Sequence, residues 1–168
     1  MNPTNPKTVR VSAISPSTRG FGFAVLEGNA LVDWGVKSVK GEKNSECLLK
    51  VEAMITHYQP GVMVLEDGSV KGSRRAPRIQ ALSQEIIELA KKRKVTVKLF
   101  SRNQVRKVFF AHGKGTKHAV AEILAKRFPE ELGSRLPPKR KPWKSEDHRM
   151  AIFDAVALAL MPRLMKRF

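Results

Sequence analysis

Val9, Val11 and Ala13 alternate with polar residues at the period of two expected of a half-buried strand, and Ser15-Pro16-Ser17-Thr18 then interrupts the pattern as a turn. Phe21 to Leu26 reads as a second strand, Glu27-Gly28-Asn29 as a tight connection and Leu31 to Val39 as a third strand. The chain therefore opens on an antiparallel meander. The period then lengthens. Cys47, Leu48, Val51, Met54, Ile55 and Tyr58 recur at helical spacing, and Gln59-Pro60-Gly61 stops the helix. Val62-Met63-Val64-Leu65 is apolar without interruption, as a strand buried on both faces requires, and it ends in Glu66-Asp67-Gly68. A basic loop leads to a second amphipathic helix with the stripe Ile79, Leu82, Ile86, Leu89 and Ala90, and Val95 to Phe100 resumes as a strand. Helical patterns follow over about 102 to 111 and 117 to 127. The stretch Leu136 to Lys144 is too rich in proline to be regular, and a last helix is expected from about Glu146 to Leu160 with Ser145 as its N-cap. This order predicts an α/β sandwich on a mixed five-stranded sheet with helices on both faces. One domain over 9–161 is expected, between an N-terminal tail, 1–8, and a basic C-terminal tail, 162–168.

Composition narrows the function classes. The 168 residues, 42% of them apolar, suffice for one core. No apolar run reaches the roughly 18 residues of a membrane span, and Met1 to Pro6 has no signal-like apolar stretch, so no membrane partner and a cytoplasmic location are expected. Cys47 is the single cysteine, which excludes a disulfide framework and a cysteine-built zinc site and reads as a buried thiol. Charge is more telling. Lys and Arg number 32 against 15 Asp and Glu, a net +17, and residues 69–144 hold 21 basic and 5 acidic residues, or +16 of that total. Nucleic acid is the polyanion that best matches such a density; a generic basic surface, ribosomal or directed at anionic membranes, is the alternative.

Carboxylates are scarce, so their placement is informative. Glu66 and Asp67 end an apolar strand, and the carboxyl ends of strands in open α/β sheets are where ligands bind. Asp147 and Asp154, seven residues apart, fall on one face of the expected last helix. Carboxylates gathered at a sheet edge suit Mg²⁺ or Mn²⁺, which take oxygen ligands and bridge to phosphates. Asp154 sits within Ile152 to Leu160, where a lone carboxylate needs a specific partner. Asp147 serves either that site or the helix dipole, and Asp67 either a turn or a supporting role.

Three segments resemble RuvC-type Holliday-junction resolvases. Val11 to Val25, with Ser15-Pro16-Ser17 and Gly20-Phe21-Gly22, is similar to that family's first hairpin; Val64-Leu65-Glu66 is similar to its strand bearing a catalytic Glu; Asp154-Ala155-Val156-Ala157-Leu158-Ala159 is similar to its final Asp-Ala-hydrophobic helix. The resemblance implies an RNase H-like fold, a homodimer, and metal-dependent hydrolysis of branched DNA, with Glu66, Asp154 and Asp147 holding Mg²⁺ or Mn²⁺. Ser15 falls where the family has its first-strand Asp, and Ala151 where it often has a second acidic residue or His, leaving Asp147 or His148 to serve from one turn earlier. A serine hydroxyl brings no negative charge to a two-metal site. A second reading is accordingly a resolvase-like binding module without cleavage, and a third is an RNA-binding or ribosome-associated protein on this fold. The resemblance also places phosphate contacts on Lys71, Arg74, Arg75 and Arg78. Lys114, Lys117 and His118 are expected around a nucleic-acid backbone, with Lys117 or His118 steadying charge or moving a proton. Lys144 is a further expected contact, and its neighbour Trp143 either stacks on a base or pins the proline-rich stretch to the core.

Overall fold

A computed structural model describes residues 9–69, 75–110 and 115–165. It contains strands β1 (Arg10–Pro16), β2 (Gly20–Glu27), β3 (Ala30–Ser38), β4 (Val62–Glu66) and β5 (Thr96–Phe100). The helices are α1 (Lys43–Tyr58), α2 (Pro77–Lys92), α3 (Arg102–Phe109), α4 (Lys117–Arg127), α5 (Pro129–Leu132) and α6 (Met150–Met165). The strands form one mixed sheet in the order β3-β2-β1-β4-β5. The first three are antiparallel neighbours, while β1, β4 and β5 run parallel. This is the expected α/β architecture, and its parallel trio brings the ends of β1, β4 and β5 to one edge.

The two faces of the sheet are packed differently. Ile14, Phe21, Phe23, Val25, Met63 and Leu65 point toward α1 and α2, whose apolar stripes include Val51, Ile55, Leu82 and Ile86. Ala13, Ala24 and Val64 point the other way, toward α6 and α4. By the alternation of a strand, Ser15, Gly22 and Glu66 share that second face. A Cβ on Gly22 would overlap the carbonyl of Ala151, so the missing side chain is what lets α6 lie directly on β2. Helix α6 is apolar on all sides because it lies between the sheet and α4, and its residues from Met150 to Met161 are buried except Asp154.

Several boundaries differ from the sequence expectation. Ser15 and Pro16 remain in β1, paired with Gly22 and Phe21, and the turn falls after them. Helix α6 begins at Met150, not at Glu146, and Ser145 does not cap it. The reason is local: the Asp147 carboxylate accepts from the Arg149 backbone N–H at 2.9 Å and from its guanidinium at 2.8 and 3.0 Å. The carbonyls of Asp147, His148 and Arg149 then accept from Met150, Ala151 and Ile152, a tight turn that feeds the helix. Asp147 and Asp154 therefore do not share a helix face. At its other end α6 runs through Pro162 to Met165, beyond the helix end expected at Leu160.

Candidate nucleic-acid interface

At the edge where β1, β4 and β5 end, a cleft of about 1010 Å³ is lined by Ser15, Glu66, Asp147, His148 and Asp154 together with Lys117. The sequence-derived set thus meets in one place, with Asp67 on its border. A smaller cavity beneath it again joins Ser15, Glu66, Lys117 and Asp154 to the apolar wall of α6.

Two helix starts deliver cations to this cleft. Ser101 follows β5 and closes a capping box: its side chain accepts from the Gln104 N–H at 3.1 Å, and the Gln104 side chain accepts from the Ser101 N–H at 2.8 Å. That fixes Arg102 as the first residue of α3. Thr116 caps α4 by accepting from the Ala119 N–H at 3.0 Å, which makes Lys117 the first residue of α4.

The carboxylates are met by these cations. Glu66 accepts from Arg75 Nε at 2.7 Å on one oxygen and from Arg102 Nε at 3.0 Å on the other. Burial alone would push its pKa up; Arg75 and Arg102 outweigh that and hold it below the usual carboxylate range. Lys117 Nζ lies 3.1 Å from Asp154 and 2.8 Å from Glu146. Burial raises Asp154 above its ordinary range, with the Lys117 ammonium pulling the other way. Burial likewise opposes the charge on Lys117, but Asp154 and Glu146 overcome it and raise its pKa. Asp147, bound to Arg149, is held at about 2.

This donor set does not fit a divalent metal. The Ser15 hydroxyl, on a residue 3% exposed, brings no charge. Both Glu66 oxygens are engaged, and Asp154 faces an ammonium. Asp147 turns to Arg149. Among the described residues no three of His, Cys, Asp or Glu gather as a group able to hold a metal; Glu66, Asp154 and Asp147 line one cleft, each turned to a cation. Four basic side chains, Arg75, Arg102, Lys117 and Arg149, stand against the carboxylates instead.

Other expectations divide. Lys71, Arg74 and Lys114 lie outside the described residues. Arg75 is spent on Glu66 and the Pro16 carbonyl, and Arg78 donates to the Ser17 carbonyl and Asn44, tying α2 to the first hairpin and α1. His118 does not line the cleft: its Nε2 donates to the Pro137 carbonyl at 2.8 Å, and its Nδ1 sits 3.1 Å from Glu122. Trp143 does not pin its loop to the core, since it is 76% exposed. Cys47 is buried, and burial raises its thiol pKa. Sequence reasoning passed over Arg102, Arg106, Arg19 and Glu146, which also line the cleft. Arg102 had a readable signal, because it comes directly after the strand parallel to that ending in Glu66. Among the described residues no helix is long and apolar enough to cross a membrane.

No protein-family model matches the chain, and no curated protein matches it. Solved structures do. RuvC of Thermus thermophilus in complex with a Holliday junction substrate is 18% identical, with 95% of each chain covered and a TM-score of 0.68. The yeast mitochondrial Holliday junction resolvase is 16% identical over 96% of this chain and 82% of that one, with a TM-score of 0.63. The nuclease domain of the large terminase subunit of bacterial virus Sf6, a structure with manganese, is 14% identical over 92% of this chain and 88% of that one, with a TM-score of 0.53. The protein therefore shares the fold of RuvC, a mixed five-stranded sheet packed between helices.

Proposed function

We propose that this protein binds branched DNA in the cleft at the ends of β1, β4 and β5, and does so through side-chain cations without a divalent metal. One observation carries the reading: Glu66 and Asp154, the carboxylates around which a metal site on this fold would be built, are already neutralised by Arg75, Arg102 and Lys117. The branched-DNA class is supported by the fold shared with RuvC in its junction complex and by a chain of net +17. Arg102 keeps more than half of its side chain exposed while its Nε holds Glu66, which leaves its outer edge to meet a phosphate. A four-way junction is two-fold in its geometry, so a homodimer presenting two such clefts belongs to the same reading. A cytoplasmic location does as well.

A second reading, metal-dependent hydrolysis of branched DNA with Mg²⁺ or Mn²⁺, is favoured by the convergence of Glu66 and Asp154 beside Ser15. Binding and cleavage of a synthetic four-way junction, measured against linear duplex in EDTA, Mg²⁺ and Mn²⁺, separate the two. The first predicts junction-selective binding that survives EDTA, with no product in either metal. Product in Mg²⁺ or Mn²⁺ assigns the second, and equal affinity for junction and duplex overturns branch selectivity in both. Ser15→Asp is expected to raise affinity for Mn²⁺, read by calorimetry, and the gain is expected to vanish when Glu66→Gln is added.

A further inference from the structure

Trp143 has no part in the cleft, yet its setting is specialised. It lies in a run from Gly133 to Ser145 that carries Arg135, Lys139, Arg140, Lys141 and Lys144 and no acidic residue. Large aromatic side chains are normally withdrawn from water, and this one is 76% exposed. The loop around it is held in shape: the Lys144 N–H donates to the Lys141 carbonyl at 3.0 Å, and Arg140 donates to the Lys144 carbonyl at 3.3 Å. The Lys141 ammonium stands 5.6 Å from the centre of the indole ring. Upstream, the bond from His118 to the Pro137 carbonyl fastens the run to α4. Downstream, Ser145 and Glu146 already line the cleft. The indole is thus two residues from the cleft wall, on a fastened basic loop.

We infer that Trp143 is a stacking platform for an unpaired nucleobase of DNA whose backbone enters the neighbouring cleft, with Lys139, Arg140, Lys141 and Lys144 holding the adjoining phosphates. Flat aromatic faces beside cations are how proteins hold single-stranded nucleic acid, because every base offers a π-face and every nucleotide a charge. An acidic protein would be served by the lysines alone, and an indole also suits a membrane headgroup layer; the fixed loop and the ring's position beside the cleft favour a base. The inference rests on the nucleic-acid reading above and adds to it a preference for substrates with unpaired bases at the branch.

The test uses the full chain as wild type, Trp143→Phe and Trp143→Ala. Each is titrated with a labelled four-way junction bearing two unpaired thymines at the branch, with the fully paired junction, and with phosphatidylserine vesicles. Trp143→Ala is expected to weaken binding of the unpaired junction about tenfold, with Trp143→Phe retaining most of it and the paired junction little changed. The emission lost between wild type and Trp143→Phe should be quenched by the unpaired junction. Unchanged affinity in Trp143→Ala while wild type still binds both junctions overturns the stacking role alone. Wild type that binds neither junction overturns the nucleic-acid reading with it, and indole emission that responds to vesicles and not to DNA assigns the loop to a membrane surface.

Discussion

The two faces of the sheet are built from different stock. Toward α1 and α2 the strands present Phe21, Phe23, Ile14 and Met63, large side chains that fill the space to a pair of amphipathic helices. Toward α6 the parts of β1 and β2 beside the cleft present Ala13, Ala24, Gly22 and Ser15, with Leu26, Leu31 and Phe100 elsewhere on that face, so there a helix that is apolar all round can lie close to the backbone. Bulk on one face supplies apolar burial. Smallness on the other supplies position: Asp154 comes one turn after Ala151, the residue touching Gly22, and is thereby brought to Ser15 and Glu66. The difference teaches that on this fold the site belongs to the face where small strand residues let α6 approach the backbone, and that stability and site geometry can be perturbed separately.

The largest expected effect comes from the bulky face. Phe21→Ala, at a fully buried position, should cost about 3–5 kcal/mol in denaturant unfolding while leaving junction affinity unchanged wherever the protein is still folded. Lost affinity in the folded variant would show that the faces are not separable. Gly22→Val should cost about 1–3 kcal/mol, since the new side chain meets backbone and not the yielding end of a side chain. Unlike Phe21→Ala, it should also weaken junction binding, because it moves α6 with the Asp154 to Lys117 pair; intact binding would break the link between close packing and the site.

A smaller effect distinguishes the two carboxylates. Glu66 is held below its ordinary 4.5, so the stability it adds is present above that pH and is lost as pH falls through the depressed value. Glu66→Gln should therefore cost about 1 kcal/mol near neutrality and progressively less below pH 4, flattening the acid limb of a stability-against-pH curve. Asp154 is raised, so its contribution has the opposite sense: fully present below its ordinary 3.8, and lost as pH rises through the higher value. Parallel acid limbs for Glu66→Gln and Asp154→Asn would contradict that assignment.

Periodicity made most of the fold readable. The strands and α1 to α4 fall where alternation and helical stripes put them, and the carboxyl end of the Val62 to Glu66 strand was visible as a site because a carboxylate closed an apolar run. The start of α6 was hidden because Ser145, Glu146 and Asp147 look like a capping sequence, while the outcome depends on the Arg149 side chain returning to Asp147. The pairing of Arg102 with Glu66 and of Lys117 with Asp154 spans 36 and 37 positions, and no local pattern announces it. The charge of the cleft was therefore legible as separate inventories of carboxylates and cations, without the pairing between them.

The helix caps at Ser101 and Thr116 have a thermodynamic consequence. A free lysine or arginine carries about 2 kcal/mol of rotamer entropy, much of which is surrendered when it grips a ligand. Arg102 and Lys117 are each anchored at the first residue of a capped helix and clasped by a carboxylate, so that freedom was given up when the chain folded. Association through them should accordingly carry a smaller entropic penalty than association through unanchored surface lysines, and the difference should appear in calorimetry as a less unfavourable binding entropy at matched affinity.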